Sequence, residues 1–225
     1  MLPEQLSNGL CSLNPGQDRL TFSAFITYDK NSRPIASRFG RSWIRSRLRL
    51  TYEQALTVIH SKPGMRCAVP GVEAETVKLI QQIHALAQEL RKQRWSQFAL
   101  DLDIPECEVN IGPDGLIADI RKVENDWSHQ MIEECMVAAN EAVDRELTNR
   151  RIPLIHRLHE PPAAEKINDL TIELKEMGYQ PGNLMERRHL AEFIRKIKGT
   201  PLCFDAQVAI LRSMKRAVYS TQAGG

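Results

Sequence analysis

Three groups of residues have the types and spacings that chemistry needs. His156-x-x-His159 offers two imidazoles, Glu133-Glu134 two adjacent carboxylates, and Trp43, Arg45, Arg47 and Arg49 an indole and three cations at alternate positions. The histidine pair falls where the chain reads as strand running into turn. Positions i and i+3 point to opposite faces there, so a shared metal is not expected. Adjacent residues on a helix are about 100° apart, so Glu133 and Glu134 are expected not to face one ligand, and alone they read as a solvated helix face. The Trp43/Arg45/Arg47/Arg49 run says more, because guanidinium groups pair bidentately with phosphate and an indole stacks on a base. RNA or another single-stranded nucleic acid is the ligand that chemistry suits. A solvated edge strand whose charges oppose aggregation accounts for the same residues, and from these positions alone both readings stay open.

Composition narrows the classes. With 225 residues, 42% hydrophobic and 26% charged, the chain has the make-up of ordinary globular protein rather than of a disordered one. The formal charge of +2 does not by itself imply nucleic-acid binding, yet Lys30, Arg33, Arg38, Arg41, Arg45, Arg47 and Arg49 fall in a stretch without a single acid. The basicity is therefore local, and the rest of the chain is net acidic. No apolar run approaches the roughly 18 residues of a membrane span, and Met1-Leu2-Pro3-Glu4 is neither a basic nor an apolar leader, so a cytoplasmic protein with no membrane partner is expected. Cys11, Cys67, Cys107, Cys135 and Cys203 are widely spaced and odd in number, which suits reduced, mostly buried thiols better than zinc or disulfides.

The elements that position these groups follow from periodicity. Ser7-Asn8-Gly9 and Asn14-Pro15-Gly16 predict a loop-like opening, because Gly and Asn tolerate positive φ and Pro fixes it. Residues 20–28 are β-branched and aromatic, a turn follows at Asp29-Lys30-Asn31-Ser32, and the return strand is expected to run to Leu50. Its Ile44, Ser46, Leu48 and Leu50 then form a core face and Trp43, Arg45, Arg47 and Arg49 a cationic one. Tyr52–His60 and the stripe Val77, Ile80, Ile83, Ala87, Leu90 predict two helices. A second hairpin is expected around Gly112-Pro113-Asp114-Gly115. After it comes a long helix capped by Asp126 or Ser128, with Ile132, Cys135, Met136, Ala139 and Val143 as its buried stripe. Ile152–Arg157 reads as a short strand, and helices are predicted over 164–177, 186–197 and 204–219, separated by Gly/Pro breaks. The fold class expected is α+β, a mixed or antiparallel sheet with hairpins flanked by several helices, in one unit rather than two domains.

Leu2-Pro3-Glu4-Gln5-Leu6-Ser7-Asn8-Gly9-Leu10-Cys11-Ser12-Leu13-Asn14-Pro15 closely resembles a segment of the ribonuclease II/ribonuclease R family. In family order come Asp18-Arg19-Leu20, Arg49-Leu50-Thr51-Tyr52, Ala99-Leu100-Asp101-Leu102-Asp103, Ile132-Glu133-Glu134-Cys135-Met136 with Ala139-Asn140, His159-Glu160-Pro161-Pro162, and Leu211-Arg212-Ser213-Met214-Lys215. The resemblance runs through residues 1–225 and implies the central portion of a single RNB catalytic domain. Such a domain shortens single-stranded RNA from its 3′ end, releasing nucleoside 5′-monophosphates with Mg²⁺. Hard carboxylate oxygens suit that metal, which activates water and stabilises the leaving oxygen.

On this resemblance the family's aspartate cluster lies upstream of the Leu-Pro-Glu segment and its arginine motif downstream of the last helix. Both are expected to be lacking here, so no metal ligands are assigned and the chain alone is expected to be inactive. Tyr52 matches an active-site tyrosine near the scissile phosphate, and Glu133 a glutamate near the 3′-terminal nucleotide. Arg45, Arg47, Arg49, Leu102 and Asn140 are the RNA-binding candidates. Leu102 stands where the family often has phenylalanine, and leucine packs but does not stack, so a weaker grip on the RNA end is expected there. Two alternatives are a non-catalytic RNA-binding or scaffolding descendant, and one half of a split enzyme completed by separate chains carrying the missing parts.

Overall fold

A computed structural model describes residues 2–62, 67–102, 104, 106–123 and 125–222. The chain divides into two compact units, Met1–Arg91 with Asn125–Arg150, and Lys92–Glu124 with Arg151–Gly225.

In the first unit, β1 (Asp18–Tyr28) and β2 (Pro34–Arg45) form an antiparallel hairpin with Asp18 opposite Arg45. Its turn is closed by Asp29, whose carboxylate accepts from the backbone N–H of Asn31 and Arg33, both at 2.8 Å. The expected strand to Leu50 is corrected: β2 ends at Arg45, opposite the first residue of β1, so no partner continues the ladder. Only a single bridge from Ser46 to Pro15 extends it, although exposure still alternates up to Leu50. The opening is also more regular than a loop, being a π-helical turn over Gln5–Leu10. Arg19 holds it, donating to the carbonyls of Ser12 at 2.8 Å and Gly9 at 3.3 Å.

α1 (Tyr52–Ile59) starts at a capping box, in which Thr51 accepts from the Gln54 N–H and the Gln54 side chain accepts from the Thr51 N–H. α2 (Ala74–Ser96) and α3 (Trp127–Asn149) are the long helices, and Asp126 is the N-cap of α3. Ile59, Ala87 and Met131 bury a small core with Ile80, Ile83 and Trp127 against it. The expected buried stripe of α3 is rotated by about 100°: Ser128, Met131, Glu134 and Ala142 are buried, whereas Ile132, Cys135 and Met136 are exposed. The cause is an ion pair that buries Glu134, described below.

The second unit holds the larger core. Ile167, Leu170 and Leu174 of α4 (Ala164–Glu176) meet Leu190, Phe193, Ile194 and Ile197 of α5 (Arg187–Ile197) and Ala206, Ala209 and Ile210 of α6 (Cys203–Ser213). β3 (Glu106–Ile111) and β4 (Ile117–Val123) form the second hairpin, with Gly115 at φ 77° in its turn. β5 (His156–Leu158) pairs antiparallel with β6 (Val218–Ser220). This corrects two expectations. The strand over 152–157 starts later, and the last helix stops at Ser213 rather than Tyr219, because Val218-Tyr219-Ser220 serve as the ladder partner of β5. Six helices, one π-helical turn and three two-stranded antiparallel sheets among the described residues make the class α+β. The thiols are free as expected, but Cys11, Cys107 and Cys135 are exposed rather than buried.

Candidate functional site

Tyr52 is the first residue of α1, so the Thr51 cap fixes its backbone. Its ring stacks on His129 in the first turn of α3, with centroids 3.7 Å apart and planes 18° from parallel. Asp126 sets the His129 side. One of its oxygens accepts from Ser128 N–H at 2.8 Å, Ser128 O–H at 2.5 Å and His129 N–H at 3.3 Å, and lies 3.1 Å from His129 Nδ1. Burial works against the charged form of Asp126, yet these hydrogen bonds outweigh it and hold the carboxyl below its ordinary range.

One turn further along α3 is Glu133. Residues 129, 133, 136 and 140 share one helical stripe, so His129, Glu133, Met136 and Asn140 follow one another along the same side. Glu133 and Glu134 both approach a single nitrogen of Arg91 on α2, Nη1, at 3.2 Å each. This corrects the expectation that adjacent glutamates cannot serve one ligand and belong to a solvated face. A guanidinium between two helices reaches carboxylates about 100° apart because the glutamate stems bend toward it. Glu134 is 2% exposed and Glu133 38%, so the same cation holds one buried and one accessible carboxylate.

The arginine candidates differ from one another. Arg45 is tied to Asp18 through Nε at 2.6 Å and Nη2 at 2.9 Å. That hydrogen-bonded pair lowers the Asp18 pKa and raises that of Arg45. Arg45 and Arg47 line a cleft of about 920 Å³ with Lys78, Leu48 and Leu79, which Glu73 and Glu75 make mixed in charge. Leu102 lies in the second unit, half-buried against the α4–α6 core, and Asp101 beside it is ion-paired with Lys198. Asp103 lies outside the described residues. Asn140 is exposed.

Two residues of this site escaped the sequence reading. His129 sits four positions before Glu133, a spacing that places it on the Glu133 side of α3 once that helix is recognised. Arg91 carries no such local signal, since its partners lie 42 and 43 positions away.

A family model described as RNB domain matches residues 1–225. Ribonuclease R of Aquifex aeolicus strain VF5 is 34% identical over 98% of the chain, and ribonuclease R of Escherichia coli K12 is 31% identical over all of it. The chain spans only 31% and 27% of those two proteins. Among solved structures, Mycoplasma genitalium RNase R in complex with ribose-methylated single-stranded RNA superposes with a TM-score of 0.88 at 29% identity. That match covers 98% of this chain and 34% of the other.

Proposed function

The chain belongs to the RNB domain family of the ribonuclease II/R type, and from that membership we propose that it forms the wall of an exoribonuclease groove that receives the 3′ end of single-stranded RNA. The observation that carries this reading is the packing of Tyr52 onto His129, one turn of α3 before Glu133. Two residues 81 positions apart in the chain thereby flank one short stretch of helix. In this reading the tyrosine ring lies by the scissile phosphate, and the Glu133 carboxylate accepts hydrogen bonds from hydroxyls of the terminal ribose, donors that DNA lacks in part. Asn140 continues the same stripe toward the preceding nucleotides. Arg47 and Arg49 contribute positive charge toward the phosphate backbone, and Arg45 does so less because Asp18 already occupies its guanidinium.

Hydrolysis by the whole enzyme uses Mg²⁺, which activates water and stabilises the leaving oxygen. Among the described residues no group of three or more His, Cys, Asp or Glu side chains comes together. Asp101 is engaged by Lys198, and Glu133 and Glu134 by Arg91. No metal ligand is therefore assigned to these residues, and no step is routed through the ion. The chain's own part is to bind and orient RNA in the cytoplasm, within a single catalytic domain to which both compact units belong.

The test incubates the purified chain with single-stranded RNA and Mg²⁺ while following nucleoside monophosphate release and, separately, RNA binding at several salt concentrations. Salt-sensitive binding without release is expected. Robust turnover, or no binding at low salt, overturns the proposal.

A further inference from the structure

Arg91 lies in the last turns of α2, where its side chain is 9% exposed, and its Nη1 stands 3.2 Å from one oxygen of each of two consecutive glutamates. Pairing with Arg91 places a cation beside the carboxylate of Glu134, which is 2% exposed. The second contact reaches outward, to a carboxylate at the surface. Glu133 is 38% exposed, so Arg91 contacts a carboxylate that a ligand can reach, and this contact narrows the rotamers that binding would have to order.

We propose that Arg91 is a positioning residue for the 3′ end of RNA: its guanidinium, anchored by buried Glu134, holds the Glu133 carboxylate in the orientation that accepts a terminal ribose hydroxyl. The inference rests on the reading of Glu133 given above. Nη1 carries two N–H donors fixed in the guanidinium plane, one toward each glutamate, whereas the donors of an ammonium turn freely at the end of a flexible stem. Lysine therefore preserves the charge but not the geometry.

The experiment measures binding of the intact chain to a short oligoadenylate ending in a 3′-hydroxyl, the same oligomer ending in a 3′-phosphate, and a circular oligoadenylate with no end, all at one salt concentration. The wild-type chain is expected to prefer the 3′-hydroxyl oligomer, and Glu133→Gln to lose that preference. Arg91→Lys is expected to reduce the preference about five- to tenfold, the size of one ordinary net hydrogen bond, while circular RNA binds as before. In a Glu133→Gln background, Arg91→Lys should change the preference no further. A preference unaltered in Arg91→Lys overturns the inference, as does a loss shared equally by circular RNA and the melting midpoint, which marks a purely structural pair. If Glu133→Gln itself keeps the preference, the assignment of Glu133 fails first, and the two failures are thereby told apart. Should Arg91→Lys not fold, Glu134→Gln replaces it. Without that anchor the guanidinium holds Glu133 less firmly and the preference is expected to fall while circular RNA binds as before, whereas an unaltered preference overturns the proposal.

Discussion

Asp126 concentrates several tasks in one carboxylate. It caps α3, fixes the Ser128 hydroxyl and orients the imidazole on which Tyr52 rests. Removing it in Asp126→Ala should cost about 1 kcal/mol of stability for the lost cap and also loosen the Tyr52 ring. Asp126→Asn keeps cap geometry without the charge, so it isolates the pH effect. Because the carboxyl titrates lower in the folded state than in the unfolded one, its stabilisation is present above the unfolded pKa and disappears as pH falls through the folded value. Urea unfolding should therefore show wild type ahead of Asp126→Asn at neutral pH, with the gap closing in acid below the ordinary carboxylate range. A gap that stays constant down to strongly acidic pH would contradict the assignment.

At the level of the elements, the segment after β2 carries the electrostatics. Arg47 and Arg49 make no ion pair among the described residues, while Arg45 is held by Asp18. For single strands each phosphate contact adds about 0.7 to the slope of log affinity against log salt. Arg47→Ala and Arg49→Ala should each lower that slope by roughly this amount, and Arg45→Ala by clearly less. Equal slopes for all three variants would show that Asp18 does not compete with RNA. Both hairpins and the six helices were legible in the sequence because alternation and a 3.6-residue period are local properties. The tips of β2 and α6 were not, since a strand ends where its partner ends and Val218–Ser220 take their conformation from His156–Leu158. The face of α3 was misread for a related reason. Hydropathy places Glu134 outside, whereas in the fold it is buried beside an arginine 43 positions away. Of the candidate site, Tyr52 and Glu133 are singled out by family resemblance, whereas His129 and Arg91 escape the sequence: helical spacing from Glu133 is a signal for the first, and the second has no local one.

For the whole molecule, the exposed apolar surface is the dominant fact. Leu20 lies directly opposite Trp43 and Phe22 opposite Arg41 on the first hairpin, and Leu20, Phe22 and Trp43 are 91%, 72% and 69% exposed. Ile117 and Ile120 of the second hairpin and Met136 of α3 are also exposed. Patches of this kind drive association. Sedimentation of the purified chain should show mass rising with concentration across the micromolar range, and a double Leu20→Lys, Trp43→Lys variant should suppress it. A wild-type chain that sediments as a monomer at every concentration would show that these faces are not sticky in water.

Each compact unit is assembled from two stretches of sequence separated by part of the other. A growing polypeptide that has just released Arg91 still lacks Asn125–Arg150, the stretch that carries α3. At roughly 5–20 residues per second, translation leaves α1 without its packing partner for on the order of 3 to 12 s, far longer than a helix or hairpin needs to form. The ribosome thus holds out a half-built hydrophobic surface for seconds, and nascent-chain chaperones have that interval in which to act.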